Sequence, residues 1–489
     1  MSITGLSPAQ ISALSVTAIQ GLSTTVISQL AATQVAAIST TGIGALSNTQ
    51  VAALSTTQVR ALTTTQVPNF SSDVTLSSAQ LLALSANQLG VMTTTQIANF
   101  NTTAISNFAT SQIQALSAAN ISALDATQAA ALRTTQISSL NTTQIAGLSA
   151  TDIEELTSTQ ARAFTATQIA RLTTEAFAAF DTTTAASLTV TQIKALTTTQ
   201  IGAMEAADLA EFAATQIAAL STTQVRAISE TNIASLTETQ VAAFSATQLQ
   251  AATNTQIAAL TDTQVAALST TQVNSLTATQ IGSLDATDLA ELTTTQIAAL
   301  SSTQVRVLTQ TSLGGLAETQ IAALGATQIQ SLTTTTLTNL ADTQLASLTT
   351  TQVAALNTAQ ARALTAGNMA AMTETQVGAL TGGQLQALTS TALAALAETQ
   401  VQALSTTQVA SLKTIQITQL SGADVAEFAA TQIAAMNTSQ IKALTTTSMA
   451  ALLDTQIGAF TSTQIQALST SQVAALDEKI GRASCRERV

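Results

Sequence analysis

An eight-residue phrase recurs from near one end of the chain to near the other, and its fixed length constrains the fold more than any single residue does. Ser269-Thr270-Thr271-Gln272-Val273-Asn274-Ser275-Leu276 is a typical copy. With its positions lettered a to h, a is usually Ser or Thr, d is usually Gln, e is Ile, Val or Leu, f and g are mostly small, and h is Leu. Residues 7–70 hold eight octads and residues 77–476 hold fifty, separated by one shortened copy, Ser71-Ser72-Asp73-Val74-Thr75-Leu76. After that copy the phase holds without error to Leu476. Such a period points to one elongated array over residues 1–476 rather than to several globular domains.

Two columns form the expected core. Position h is Leu, Ile, Met or Phe in 57 of 58 full octads, with Ala252 the exception. Position e is always apolar, falling to Ala only at Ala129, Ala161, Ala185 and Ala361. A continuous α-helix cannot keep these columns on one face, because eight residues advance it by about 800° and the seam drifts about 80° per copy. In a strand, e and h would point to opposite faces. A β-solenoid, the alternative reading, also needs turn residues at its corners, and the 18 glycines form no column.

A short helix in each octad fits better. Position a is Ser, Thr, Asp, Asn or Gly in 47 of 58 copies and d is Gln in 41, which spells the S/T-x-x-Q capping box. In that motif the hydroxyl at a accepts from the backbone N–H at d, while the side chain at d accepts from the N–H at a. Positions e and h then lie three apart on one helical face, and the alanines between them favour helix. The expected fold is an all-α solenoid with one helix of about two turns per octad, closely stacked through small residues at f and g. The Phe and Arg positions show no secondary period, so the number of octads per superhelical turn stays open.

Composition limits what such an array can do. There is no His, Trp or Tyr, only 8% of residues are charged, and the net charge is -12. Without His the commonest general base is missing, and no nucleophile-base pair or Gly-rich phosphate loop can be assembled. We therefore expect no enzyme, no catalytic, cofactor-binding or metal-binding residues, and no cofactor. The scattered Lys and Arg argue against nucleic acid. Thr, Ser and Gln interrupt every apolar stretch well short of a membrane span, so no membrane insertion is expected. No basic segment followed by an apolar one opens the chain, so a conventional signal peptide is not expected either.

Three features remain as candidates for chemistry. In four octads d is Asp and g is Glu: Asp152 with Glu155, Asp208 with Glu211, Asp288 with Glu291, and Asp424 with Glu427. Three apart on a helix, these carboxylates share a face and could offer oxygens to Ca²⁺, but a calcium site wants more ligands and often a Gly-bearing loop, so Asp is read as a first-turn acceptor in place of Gln, in copies descended from one duplicated octad. Threonines at b and c, as in Thr198-Thr199 and Thr294-Thr295, would form surface rows of the kind used against ice. Arg60, Arg162, Arg226, Arg306, Arg362, Lys194 and Lys442 all occupy f, a column read as solvent-facing.

The repeat region resembles the large Thr-, Ala- and Gln-rich octapeptide arrays of bacterial surface or secreted proteins, described as adhesin-like or haem-utilisation proteins. That resemblance implies a structural spacer or scaffold, extracellular or at the cell surface, with possible protein or cell-surface partners. The alternatives are a cytoplasmic scaffold, or a binding module that presents its repetitive Thr-rich face to ice, a surface or a partner protein. Ser7-Pro8-Ala9-Gln10-Ile11 resembles the opening of TAL-effector repeats, and is read as independent use of the same cap with Pro8 at the first helical position. Residues 477–489 leave the pattern, and Ile480 to Val489 resembles a translated sequencing adapter. That likeness implies a truncated metagenomic fragment whose only cysteine, Cys485, is artefactual.

Isolated helices shorter than about 12 residues are marginal in water, so stability must come from stacking. A peptide of residues 269–284 should therefore give a coil-like circular dichroism spectrum, while the whole chain is helical. A folded two-octad peptide would refute the stacked-array reading.

Overall fold

The computed structural model describes residues 3–476, and the adapter-like tail lies outside them. Among the described residues, short α-helices and two 3-10 turns follow one another in octad register, confirming the all-α solenoid and displacing the β-solenoid alternative. The described residues divide into two compact units, with the boundary between Phe244 and Ser245. Each is built the same way.

The capping box forms as the spacing demands. In octad 301–308, Gln304 N–H donates to Ser301 Oγ at 3.3 Å and Ser301 N–H donates to Gln304 Oε1 at 2.7 Å. Helix Ser302–Arg306 follows, from an extended N-cap at φ -71°, ψ 157°. The helices are shorter than the two turns expected. They run from four residues, as in Ala166–Ile169, to six, as in Thr270–Ser275. The cause is position h, which leaves the helix for an extended conformation in many octads, as Leu276 does at φ -58°, ψ 141°. The corner is thus made by ordinary negative-φ backbone at h and a. No described residue has positive φ, which is why the corners need no glycine column.

Both core columns are buried: Val273 is 0% and Leu276 5% exposed. The d column is buried with them, which capping alone does not explain. Gln304 is 2% exposed because its amide also bonds across the stack, where Nε2 donates to the carbonyls of Val273 at 3.0 Å and Leu276 at 2.8 Å. Those are the e and h carbonyls of the octad four places earlier, at the C-terminal end of a helix, where backbone acceptors lack intrahelical partners. The same pair of bonds recurs at Gln384, to Val353 and Leu356, and in the first unit at Gln58, to Ile27 and Leu30. One side chain therefore closes the start of its own helix and the end of another.

Octads three apart make the second contact. Position g of one octad lies over b and f of the octad three places earlier. A Cβ built on Gly90 would sit 2.8 Å from the Ala115 carbonyl oxygen, and one on Gly315 would sit 2.5 Å from that of Ala286. Such close approach explains glycine at 90 and 315, whereas exposed Arg306 at f and Glu318 at b show that these columns admit long side chains elsewhere. Contacts to both the third and fourth neighbours place each superhelical turn between three and four octads.

The shortened copy 71–76 fills one full place in this scheme. Gln80, Gln88 and Gln96 reach across it to the fourth preceding copy, but at separations of 29 and 26 residues instead of 31 and 28. It forms no helix, and is held by Asn99 Nδ2 donating to the Ser72 carbonyl and by Thr75 N–H donating to Asn48 Oδ1. The octad four places later carries buried Ala104 at d in place of Gln.

A Gln304→Glu change keeps the cap acceptor but removes the donor and sets a carboxylate against two carbonyls. It should lower local stability by about 2 to 4 kcal/mol, whereas exposed Thr303→Ala should stay within about 0.5 kcal/mol. Hydrogen exchange over residues 273–308 checks both, and equal effects would mean that the cross-turn bonds contribute nothing.

Candidate functional site

The carboxylates singled out from the sequence are half-buried, and the structure adds partners from neighbouring turns. Each Asp at d still caps its helix: Asp152 Oδ2 accepts from Ser149 N–H, and Asp288 Oδ2 from Asp285 N–H. A carboxylate has no proton to donate to the carbonyls four octads back. Asp152 instead accepts from Ser122 Oγ at 2.7 Å.

Each Glu at g meets the octad three places earlier. Glu211 accepts from Thr182 Oγ1 at 2.8 Å. Glu291 meets Asp262, and Glu427 meets Glu398. Burial pushes the Glu291 carboxyl up to about 7, reinforced by its hydrogen bond with Asp262 and by the charges of Asp262, Asp288 and Asp285. Its Oε2 is enclosed without a hydrogen-bond partner. Glu155 is raised by burial, then by Asp152 and Asp125, and Glu427 by burial, then by Asp424 and Glu398. By contrast Asp181, an exposed N-cap, is held below the usual carboxylate range by hydrogen bonds from Thr184. Among the described residues no three His, Cys, Asp or Glu side chains are arranged to hold a metal ion.

A longer period links these acids. In residues 245–476, d departs from Gln only at Asp288, Ser312, Thr336, Asn368, Ala392, Asp424 and Ser448, at steps of 24 or 32 residues. Every acidic residue of that stretch obeys the same steps: octads beginning at 261, 285, 317, 341, 373, 397, 421 and 453 carry all eleven. Steps of three and four octads are the separations at which octads touch across a turn, so the acids stack along one edge. The four bases, Arg306, Arg362, Lys413 and Lys442, lie two octads after an acidic one. At three to four octads per turn that is half to two-thirds of a turn away, on the other side. The d column and the acids display this period, and the bases keep a fixed offset from it.

The remaining candidates stand where expected but acquire no built site. Thr294 and Thr295 are exposed, and the bases at f are all exposed. Open grooves of about 400 Å³ recur between turns, one lined by Glu374 and Thr399 and another by Glu318 and Thr343. The small cavity of about 20 Å³ near Ala129, Leu132 and Phe164 lies where Ala replaces a larger residue at e.

These features define a class, the all-α repeat protein whose octads are stitched across turns by glutamine. The chain is similar to the ALTTAQ repeat family, which matches residues 35–72 and 201–238. No match was found among curated proteins or among solved structures.

The carboxyl of Glu291 should titrate near 7 by ¹³C NMR, and Asp262→Asn should return its midpoint toward the ordinary carboxylate range. A midpoint near 4.5 in the unaltered chain would show that the two turns do not meet there.

Proposed function

We propose that this repeat protein is a non-catalytic spacer or scaffold, carried by a bacterial surface or secreted protein. One observation supports this reading above others: the buried d, e and h columns are all used to join one turn to the next, as in Gln304, Val273 and Leu276. A residue set used this way specifies length. The repeat-family match agrees with a repetitive structural role. No described helix is long and apolar enough to cross a membrane. Placement at the cell surface rests on the resemblance to octapeptide arrays, and immunolabelling of intact expressing cells checks it.

A spacer must convert octads into distance. With Cys485 replaced by Ser, label pairs joining Thr271 to Thr295, Thr351 or Thr447 sample three, ten and twenty-two octads. Stacked helices sit about 8–10 Å apart, so the longest pair should be separated by roughly 60 Å, with distance growing in proportion to octad number. Distances that level off or reverse would exclude a spacer.

A further inference from the structure

In residues 245–476 the acidic edge and the gaps in the glutamine column run together. Each octad lacking Gln at d either carries acids itself, as at 285–292 and 421–428, or immediately precedes an octad with an acid at b: Ser312 before Glu318, Thr336 before Asp342, Asn368 before Glu374, Ala392 before Glu398, and Ser448 before Asp454. Two of the substitutes recover one cross-turn bond, Asn368 Nδ2 to the Thr338 carbonyl and Ser448 Oγ to the Leu420 carbonyl. Asp288 and Asp424 have nothing to donate once ionised. Along this edge, turns are joined by fewer side-chain hydrogen bonds while like charges face one another.

We propose that this edge is a proton-controlled seam: neighbouring turns close against each other along it when the stacked carboxyls share protons, and loosen when they ionise. Glu291 faces Asp262 from the octad three places earlier and Asp285 and Asp288 from its own. The octads at 253, 277, 293 and 309 offer it no titratable group, and the octad at 317 offers Glu318. Glu427 faces Glu398 and Asp424, with Asp454 four octads on, and Lys413 in the preceding octad does not offset them. The enclosed, unpartnered Glu291 Oε2 is the geometric sign that this contact suits a protonated pair better than two anions.

The sign follows from linkage. A carboxyl held above its ordinary value binds its proton more tightly folded than unfolded, so stability is greatest below the unfolded value of 4.5 and falls as pH rises through about 7. Hydrogen exchange of the full chain at pH 5.5 and 8.0, corrected for intrinsic rates, tests the seam. Protection in octads 261–268, 285–292, 397–404 and 421–428 should be about tenfold higher at the lower pH, with octads 301–308 and 357–364 unchanged. The double variant Glu291→Gln, Glu427→Gln should hold the protected level at both pH values. Equal protection in the unaltered chain, a change spread evenly over all octads, or a pH effect that persists in the double variant would overturn the proposal.

Discussion

A primary amide can accept at one end and donate at the other, and this solenoid is assembled on that asymmetry. A helix of four to six residues leaves most of its backbone donors and acceptors without intrahelical partners, and a stack of such helices would bury them at intolerable cost. Gln304 meets the need at both ends, its oxygen taking the N–H of Ser301 and its nitrogen reaching the carbonyls of Val273 and Leu276. The hydrophobic columns e and h supply the driving force for burial. The glutamines make burial of the intervening backbone tolerable.

This also explains why the repeat length does not vary. Inserting or removing one residue within a copy would rotate e and h away from the core and shift d relative to carbonyls 28 and 31 residues back. The single departure, residues 71–76, retains Val74 and Leu76 in the core. Its structural repair involves Asn48 and Asn99 on neighbouring turns, and the column above it carries Ala104.

Much of this was legible in the sequence. The core columns, the capping box and one short helix per octad follow from spacing alone, and Leu276, Val273 and Ser269 stand where that reasoning places them. The second role of Gln was hidden because the cap already accounted for its oxygen. A signal existed: Glu would serve the same cap, yet no octad has Glu at d. Helix length was overestimated because nothing in Leu at h announces an extended backbone. The Asp288-Glu291 pair was visible on its helix, but Asp262 is 29 residues from Glu291 and becomes a neighbour only once the turn is known. The steps of 24 and 32 residues in d and among the acids carry that turn, in columns where solvent exposure and chemistry vary most.

The side-chain amide protons of the glutamines report most directly on whether turns are joined as described. Gln304 and Gln384, whose nitrogens are engaged across turns, should exchange these protons at least about tenfold more slowly than Gln330, which occupies the exposed f position. Uniformly fast exchange at d and f alike would contradict the account, because the buried amides would then have no partner on the neighbouring turn.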